Sequence, residues 1–232
     1  RLDPGLVSRE GALDLRRSLG LGPGDVVATM VSRVIRSKGV LEFAAAAEAL
    51  REDNPNLRFL LVGPVDGGSL DRLTREELSL VTSRVRWIGM RDDIREILAA
   101  SDLFVLPTQY REGVPRVLME AASMCLPLVA TRSGGCGEIV RDGENGWLVE
   151  PGRHSDLVGA VARLAGDRSL RQRFGAASRS IAVDEFDYRV TARKTAALYW
   201  RLLEDGRRAP AHVALREARP ARAARPRKVI SG

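Results

Sequence analysis

Four segments of the 232-residue chain carry side chains suited to holding a charged, hydroxyl-rich ligand. In SRVIRSKG, Arg33 and Lys38 share one loop ahead of a helix-like stretch. Two cations beside the open amides of a helix N-terminus make a site for a phosphate or diphosphate, because point charge and N–H donors converge there. An isolated Arg-x4-Lys is equally ordinary solvated surface charge, so this loop gains meaning only in company. In PTQYREGVPRVLMEAASM, Glu112 precedes a helix start near Val114–Pro115 and Glu120 follows along the same helix. A rise of about 1.5 Å per residue separates the two carboxylates by roughly 12 Å, about the span from a sugar across a diphosphate to a ribose. Carboxylates accept hydrogen bonds from paired hydroxyls, and the helix N-terminus between them favours negative charge. The alternative is an amphipathic helix with one capping and one solvent-facing Glu. Set among Val114, Val117, Leu118, Met119, Ala121 and Ala122, however, a buried Glu120 needs a partner.

The other two segments are weaker signals. In GMRDDI, Arg91 and its backbone are placed to line a base pocket, while Asp92 or Asp93 is better suited to cap the next helix. In TRSGGCGEIV, Gly134, Gly135 and Gly137 allow either a close approach to a ligand or simply a tight turn.

These loops need a scaffold, and the periodicity supplies one. Short apolar runs rich in β-branched residues alternate with longer helical patterns, which predicts a parallel sheet with crossover helices. The strands fall at Val26–Ser32, Arg58–Gly63, Val85–Gly89, Leu103–Pro107, Leu128–Thr131 and Gly146–Val149. Helices are predicted around Leu41–Glu52, Leu70–Val81, Asp93–Ala100, Val114–Met124 and Glu138–Arg141, then at Ser155–Ala165, Leu170–Ser180 and Tyr188–Leu203. The result is α/β, a Rossmann-like, doubly wound parallel sheet of about six strands. In such sheets ligands bind outside the carboxyl ends of the strands, where all four segments lie.

Composition narrows the function classes. At 44% hydrophobic and 29% charged, the chain reads as an ordinary globular protein, with no apolar run near the ~20 residues that cross a bilayer. Cys125 and Cys136 are too few for a disulfide framework, and neither lies in a Cys-x-x-Cys pair. The net charge of +7 resides entirely in Gly206–Gly232, where eight basic residues face Glu217 alone; residues 1–205 are neutral. That distribution gives no reason to expect a nucleic-acid partner for the folded part. No Gly-x-Gly-x-x-Gly, P-loop or Gly-x-Ser-x-Gly elbow is present, and no two aspartates stand two apart to clamp a metal–diphosphate. His154 and His212 are the only histidines, too few for a triad or a histidine metal centre.

Taken together, SRVIRSKG, RFLLVGP, VRWIGMRDDI, LFVLPTQYREGVPRVLMEAASMCLPLVAT and GGCGEIVRDGENGWLVEPG resemble the C-terminal, donor-binding domain of family 4 glycosyltransferases of GT-B architecture, over roughly Asp25 to Leu203. The YREGVPRVLMEA wording is most similar to enzymes that build capsule, O-antigen or exopolysaccharide units on lipid carriers. The resemblance implies that Glu112 contacts the transferred sugar, Glu120 the ribose hydroxyls, and Arg33 with Lys38 the diphosphate. Backbone groups of Gly113, Val114, Pro115 and Arg116 approach the phosphates and sugar, Met90 and Arg91 meet the base, and Gly63 joins the donor contacts. It further implies retaining transfer of a hexosyl or N-acetylhexosaminyl group from a nucleotide-diphosphate sugar, with no metal or other cofactor, to a lipid-linked or glycan acceptor.

A GT-B enzyme has two Rossmann-like domains, and this sequence matches only the second. The expected division is a connector (1–24) from an absent N-terminal domain, a nucleotide-sugar-binding domain (25–187), a C-terminal helix (188–205) packing on the absent domain, and a basic flexible tail (206–232). Expected partners are that domain and, through the tail, an anionic membrane surface at the inner face of a cytoplasmic location. The competing reading is a nucleotide-sugar-binding module, inactive alone, that works with a separately encoded N-terminal partner.

Overall fold

The computed structural model describes residue 5, residues 7–111 and residues 113–208. A six-stranded, all-parallel sheet runs in the order β3-β2-β1-β4-β5-β6, from β1 (Val26–Val31), β2 (Leu57–Val62), β3 (Arg86–Trp87), β4 (Leu103–Leu106), β5 (Leu128–Thr131) and β6 (Gly146–Val149). Strands buried on both faces read as continuous apolar runs, and β4 and β5 are buried at every position. Along β2 the pleat alternates. Leu60 and Val62 join Val27 on one face, whereas Phe59 and Leu61 join Ala28 and Met30 on the other.

The first face is covered by α1 (Arg9–Ser18) and α4 (Ile94–Ala99), which pack together and contribute Leu15, Ile94 and Ile97. Over the other face, α2 (Val40–Leu50) packs against both α3 (Arg75–Arg84) and α7 (His154–Gly166). There the Phe43 ring meets Phe59 edge-on at 5.0 Å between centroids. Beyond β4, α5 (Arg116–Ser123) and α6 (Cys136–Ile139) lean on α8 (Arg168–Phe186).

All six strands lie where the apolar runs predict, but several ends move for identifiable reasons. β3 shrinks because Val85 closes α3 through its amide on the Val81 carbonyl, and Gly89 turns away at φ +72°. α3 starts five residues later than predicted. Thr74 and Glu77 form a reciprocal capping box there, with bonds of 2.7 and 3.2 Å. α8 starts at the Asp167 cap and continues to Phe186. No element is predicted before Val26, yet α1 forms there, capped by the Ser8 hydroxyl accepting from the Gly11 amide.

Helix α1 is tied in by one buried-side contact. The Arg16 guanidinium donates to the Asp102 carboxylate at 3.0 Å and to the Ala100 carbonyl at 2.9 Å, and the same carboxylate accepts the Val27 amide at 2.8 Å. The described residues fall into two compact units that divide after Asp187. The second contains α9 (Tyr188–Arg208), on which Leu198, Tyr199, Trp200, Leu202 and Leu203 are all exposed. The expected tail lies, from residue 209 onward, outside the described residues. Among those residues, no helix is long and apolar enough to cross a membrane.

Asp102→Ala leaves the Val27 amide and the Arg16 guanidinium without their shared acceptor. The expected loss is about 1–3 kcal/mol in urea unfolding monitored by circular dichroism. An unchanged midpoint would show that α1 is not anchored through this carboxylate.

Candidate functional site

The strand order reverses between β1 and β4, which is where an open α/β sheet forms its ligand crevice. The loops flanking that point are locked together through backbone. After β1, a 3-10 turn at Arg36–Lys38 ends in Gly39, whose φ of +81° is left-handed. A Cβ at Gly39 would stand 2.0 Å from the Pro107 carbonyl oxygen, so only glycine lets the β1 and β4 loops touch. The Ser37 carbonyl then accepts the amides of Gln109 at 2.8 Å and Tyr110 at 3.0 Å, and the Thr108 hydroxyl at 3.2 Å.

From the other side, the Ser37 amide donates to the Asp71 carboxylate at 2.7 Å. Hydrogen bonds from the Ser37 hydroxyl and then its amide hold the Asp71 carboxyl below the usual carboxylate range. The β5 loop completes the set. Thr131 donates its hydroxyl to the Thr108 carbonyl, and Gly135 lies so close to Gly113 and Val114 that a Cβ would be 2.6 Å from their backbone.

Against this frame the predicted residues can be placed. Arg33 follows β1, and its guanidinium bonds Asp66 of the β2 loop at 2.8 Å. The Lys38 ammonium stands 5.0 Å from the Tyr110 ring centroid. Gly113, Val114 and Pro115 lead into α5; Pro115 occupies the N-cap and supplies no side-chain cap to the first-turn amides. Arg116 is exposed, and its guanidinium bonds Glu120 one turn on at 3.1 Å. Glu120, one-quarter exposed, therefore has a partner on its own helix. Glu112 lies outside the described residues.

The base-contact candidates sit on the β2 and β3 side of the crevice. Gly63 packs on Ser32 and donates its amide to the Gly89 carbonyl at 2.8 Å, while Trp87 donates its indole N–H to the Gly63 carbonyl at 2.9 Å. Met90 is exposed. Arg91 grips Asp93 with two bonds, at 2.7 and 2.5 Å, which raises the arginine and lowers the carboxyl from their ordinary values. That pairing corrects one expectation. Asp93 occupies the N-cap of α4, but its carboxylate is spent on Arg91 and caps no amide. His154, expected in a loop, is instead the first residue of α7.

Sequence reasoning missed the residues that fix the loops, namely Ser37, Asp71, Thr108 and Tyr110. Asp71 was hidden inside a predicted helix, although the Thr74-x-x-Glu77 box already marked the later start. A further cation, Arg36, is held by Glu77 at 2.9 and 2.5 Å, which lowers the Glu77 carboxyl.

Residues 13–181 match the model of the family described as glycosyl transferases group 1. The chain belongs to that family. Within it, the chain is 35% identical over 157 residues to the UDP-Gal:alpha-D-GlcNAc-diphosphoundecaprenol alpha-1,3-galactosyltransferase of Escherichia coli, covering 66% of this chain and 40% of that protein. It is 33% identical over 193 residues to the alpha-maltose-1-phosphate synthase of Mycobacterium tuberculosis, covering 78% and 49%. The chain thus spans 40–49% of the length of these relatives. Among solved structures, Anabaena HepE in complex with UDP superposes with a TM-score of 0.73 at 27% identity, over 85% of this chain and 55% of that one. The same protein is known in complex with UDP-glucose, superposing at a TM-score of 0.72.

The Asp71 contact predicts a pH signature. A carboxyl whose folded pKa is depressed adds stability above its unfolded value, about 3.9, and loses it as pH falls through the folded value. The gap in urea midpoint between the parent chain and Asp71→Asn should be open at pH 6 and narrow progressively as pH falls below the unfolded value of about 3.9. A gap that persists undiminished in acid would rule out the ionised carboxylate as its source.

Proposed function

We propose that the chain is the donor-binding part of a retaining glycosyltransferase that moves a sugar from a nucleotide-diphosphate sugar, a UDP-sugar in our reading, to a lipid-linked or polysaccharide acceptor. The observation that carries this reading is the lock at the β1/β4 crossover, which sets Lys38 and its neighbours beside the loop entering α5. UDP and UDP-glucose in the related HepE structures support the donor class. The Escherichia coli relative, named for transfer from UDP-Gal onto a diphosphoundecaprenol acceptor, supports the acceptor class.

The chemistry follows from where charge develops. Breaking the bond at the anomeric carbon puts negative charge on the departing diphosphate oxygen. Arg33, Lys38 and the uncapped amides of α5 are assigned to that charge, in a setting where losing one such donor typically costs roughly 10²–10³-fold in rate. Glu120 takes the ribose hydroxyls, and Glu112 orients the sugar. Arg91 and Met90 border the base. The relatives being about twice as long supports an N-terminal domain as the source of the acceptor site. The exposed apolar residues of α9 suit packing on that domain, at the cytoplasmic face of a membrane where the acceptor lipid resides.

Two binding measurements test the assignment. Glu120→Ala should weaken UDP binding in calorimetry by about 1–3 kcal/mol, the worth of a hydrogen bond to a charged group; unchanged affinity removes Glu120 from the ribose. Arg33→Ala combined with Lys38→Ala should weaken UDP more than roughly tenfold yet barely move the melting temperature, since an exposed pair such as Arg33–Asp66 contributes at most about 1 kcal/mol. A large drop in melting temperature with intact UDP affinity would make both residues structural.

A further inference from the structure

We propose that the notch at the β3 edge of the sheet binds an organic phosphate, a ligand with an anionic head and an apolar body, at the opposite end of the sheet from the donor loops. The notch exists because β3 is only two residues long. It pairs with Leu60 and Leu61 alone, so Leu57, Arg58 and Phe59 of β2 have no strand beside them on that side. The gap forms a cavity of about 430 Å³, within the size range of small-molecule sites. Arg51 follows α2, Leu57 opens β2, Arg84 ends α3 and Arg86 opens β3, which places the cavity at the amino ends of the strands.

Its walls are of two kinds. Leu21, Leu50, Phe59 and Leu60 supply apolar surface, while Arg51, Arg58, Arg84 and Arg86 supply charge, with Glu48 the one carboxylate in the lining. Arg84 reaches Glu48 at 3.7 Å and Arg58 reaches Asp25 at 3.0 Å. The side chains of Arg51 and Arg86 make no ion pair or hydrogen bond with any described residue. Two guanidiniums thus line one concavity without an ion pair of their own, its carboxylate Glu48 lying against Arg84. Concave, partly apolar walls focus such a potential, and the planar guanidinium fork matches phosphate oxygens.

Arg51 and Arg84 also sit at helix C-termini, which favour cations in any protein. Arg86 has no such explanation. It opens an edge strand, with its guanidinium so near Gly20 that a Cβ there would lie 3.3 Å from it. The guanidinium therefore lies beside the loop after α1, at the cavity wall.

The test uses the full 232-residue chain and three probes: octyl phosphate, uncharged octane-1,2-diol, and phosphatidylcholine vesicles with and without phosphatidic acid. Calorimetry should give saturable octyl phosphate binding that weakens at least about tenfold in Arg51→Gln/Arg86→Gln, with octane-1,2-diol at least as weak. The melting temperature of the variant should match the parent, since both side chains are exposed and unpaired. Phosphatidic-acid-dependent vesicle binding that falls in the double variant assigns the head group to a lipid. Vesicle binding equal in both chains, with octyl phosphate still discriminating, assigns a free phosphate ester. Octyl phosphate binding the two chains equally, failing to saturate, or being matched by octane-1,2-diol overturns the proposal.

Discussion

The left-handed turn at Gly39 is the constraint on which the candidate site rests. It lets the backbone of the β1 loop press against Pro107, and the Ser37 carbonyl then collects the Gln109 and Tyr110 amides. These contacts join the two strands whose order reverses, so they set how far the β1 loop stands from the start of α5. Because they run through backbone atoms, they fix spacing with little dependence on side-chain rotamers. Gly135 repeats the device one strand further along, bringing the β5 loop against Gly113 and Val114. The residues assigned to the donor are thus carried by loops that cannot shift independently.

Much of this frame was legible in the sequence. Strands such as Leu103–Leu106 and Leu128–Thr131 read cleanly because burial on both faces makes them near-continuous apolar runs, with Thr131 alone polar at the end of the second. The order of motifs along the chain sufficed for the family. The unread part is mostly non-local. Ser37 and Asp71 are 34 positions apart and Arg16 and Asp102 are 86, and no periodicity links such partners. α1 escaped notice because the anchor that ties it to the sheet, Arg16, finds its acceptor only in the folded chain.

Two errors have a different origin, competition between equally plausible local partners. Asp93 had an amide to cap and a guanidinium two residues back; the charge-assisted, two-pronged bond to Arg91 won. The capping box at Thr74 similarly outweighed the apolar spacing that extended α3 back to Leu70. At Asp93 the pairing finally made satisfies two guanidinium donors in place of one amide.

The same pairing habit shapes how the proposed donor site would work. Arg33 is held by Asp66, Arg36 by Glu77, Arg91 by Asp93 and Arg116 by Glu120. A diphosphate arriving at Arg33 exchanges one oxyanion partner for another, so the net gain is the difference between two charge-assisted contacts and not the full strength of either. Prior pairing also restricts each guanidinium, which reduces the rotamer freedom lost on binding. Affinity in such a site is built from several modest exchanges whose geometry is already set. The first turn of α5 complements them: its N-cap, Pro115, offers no side-chain acceptor, so an anion seated there meets donors that the cap residue leaves open.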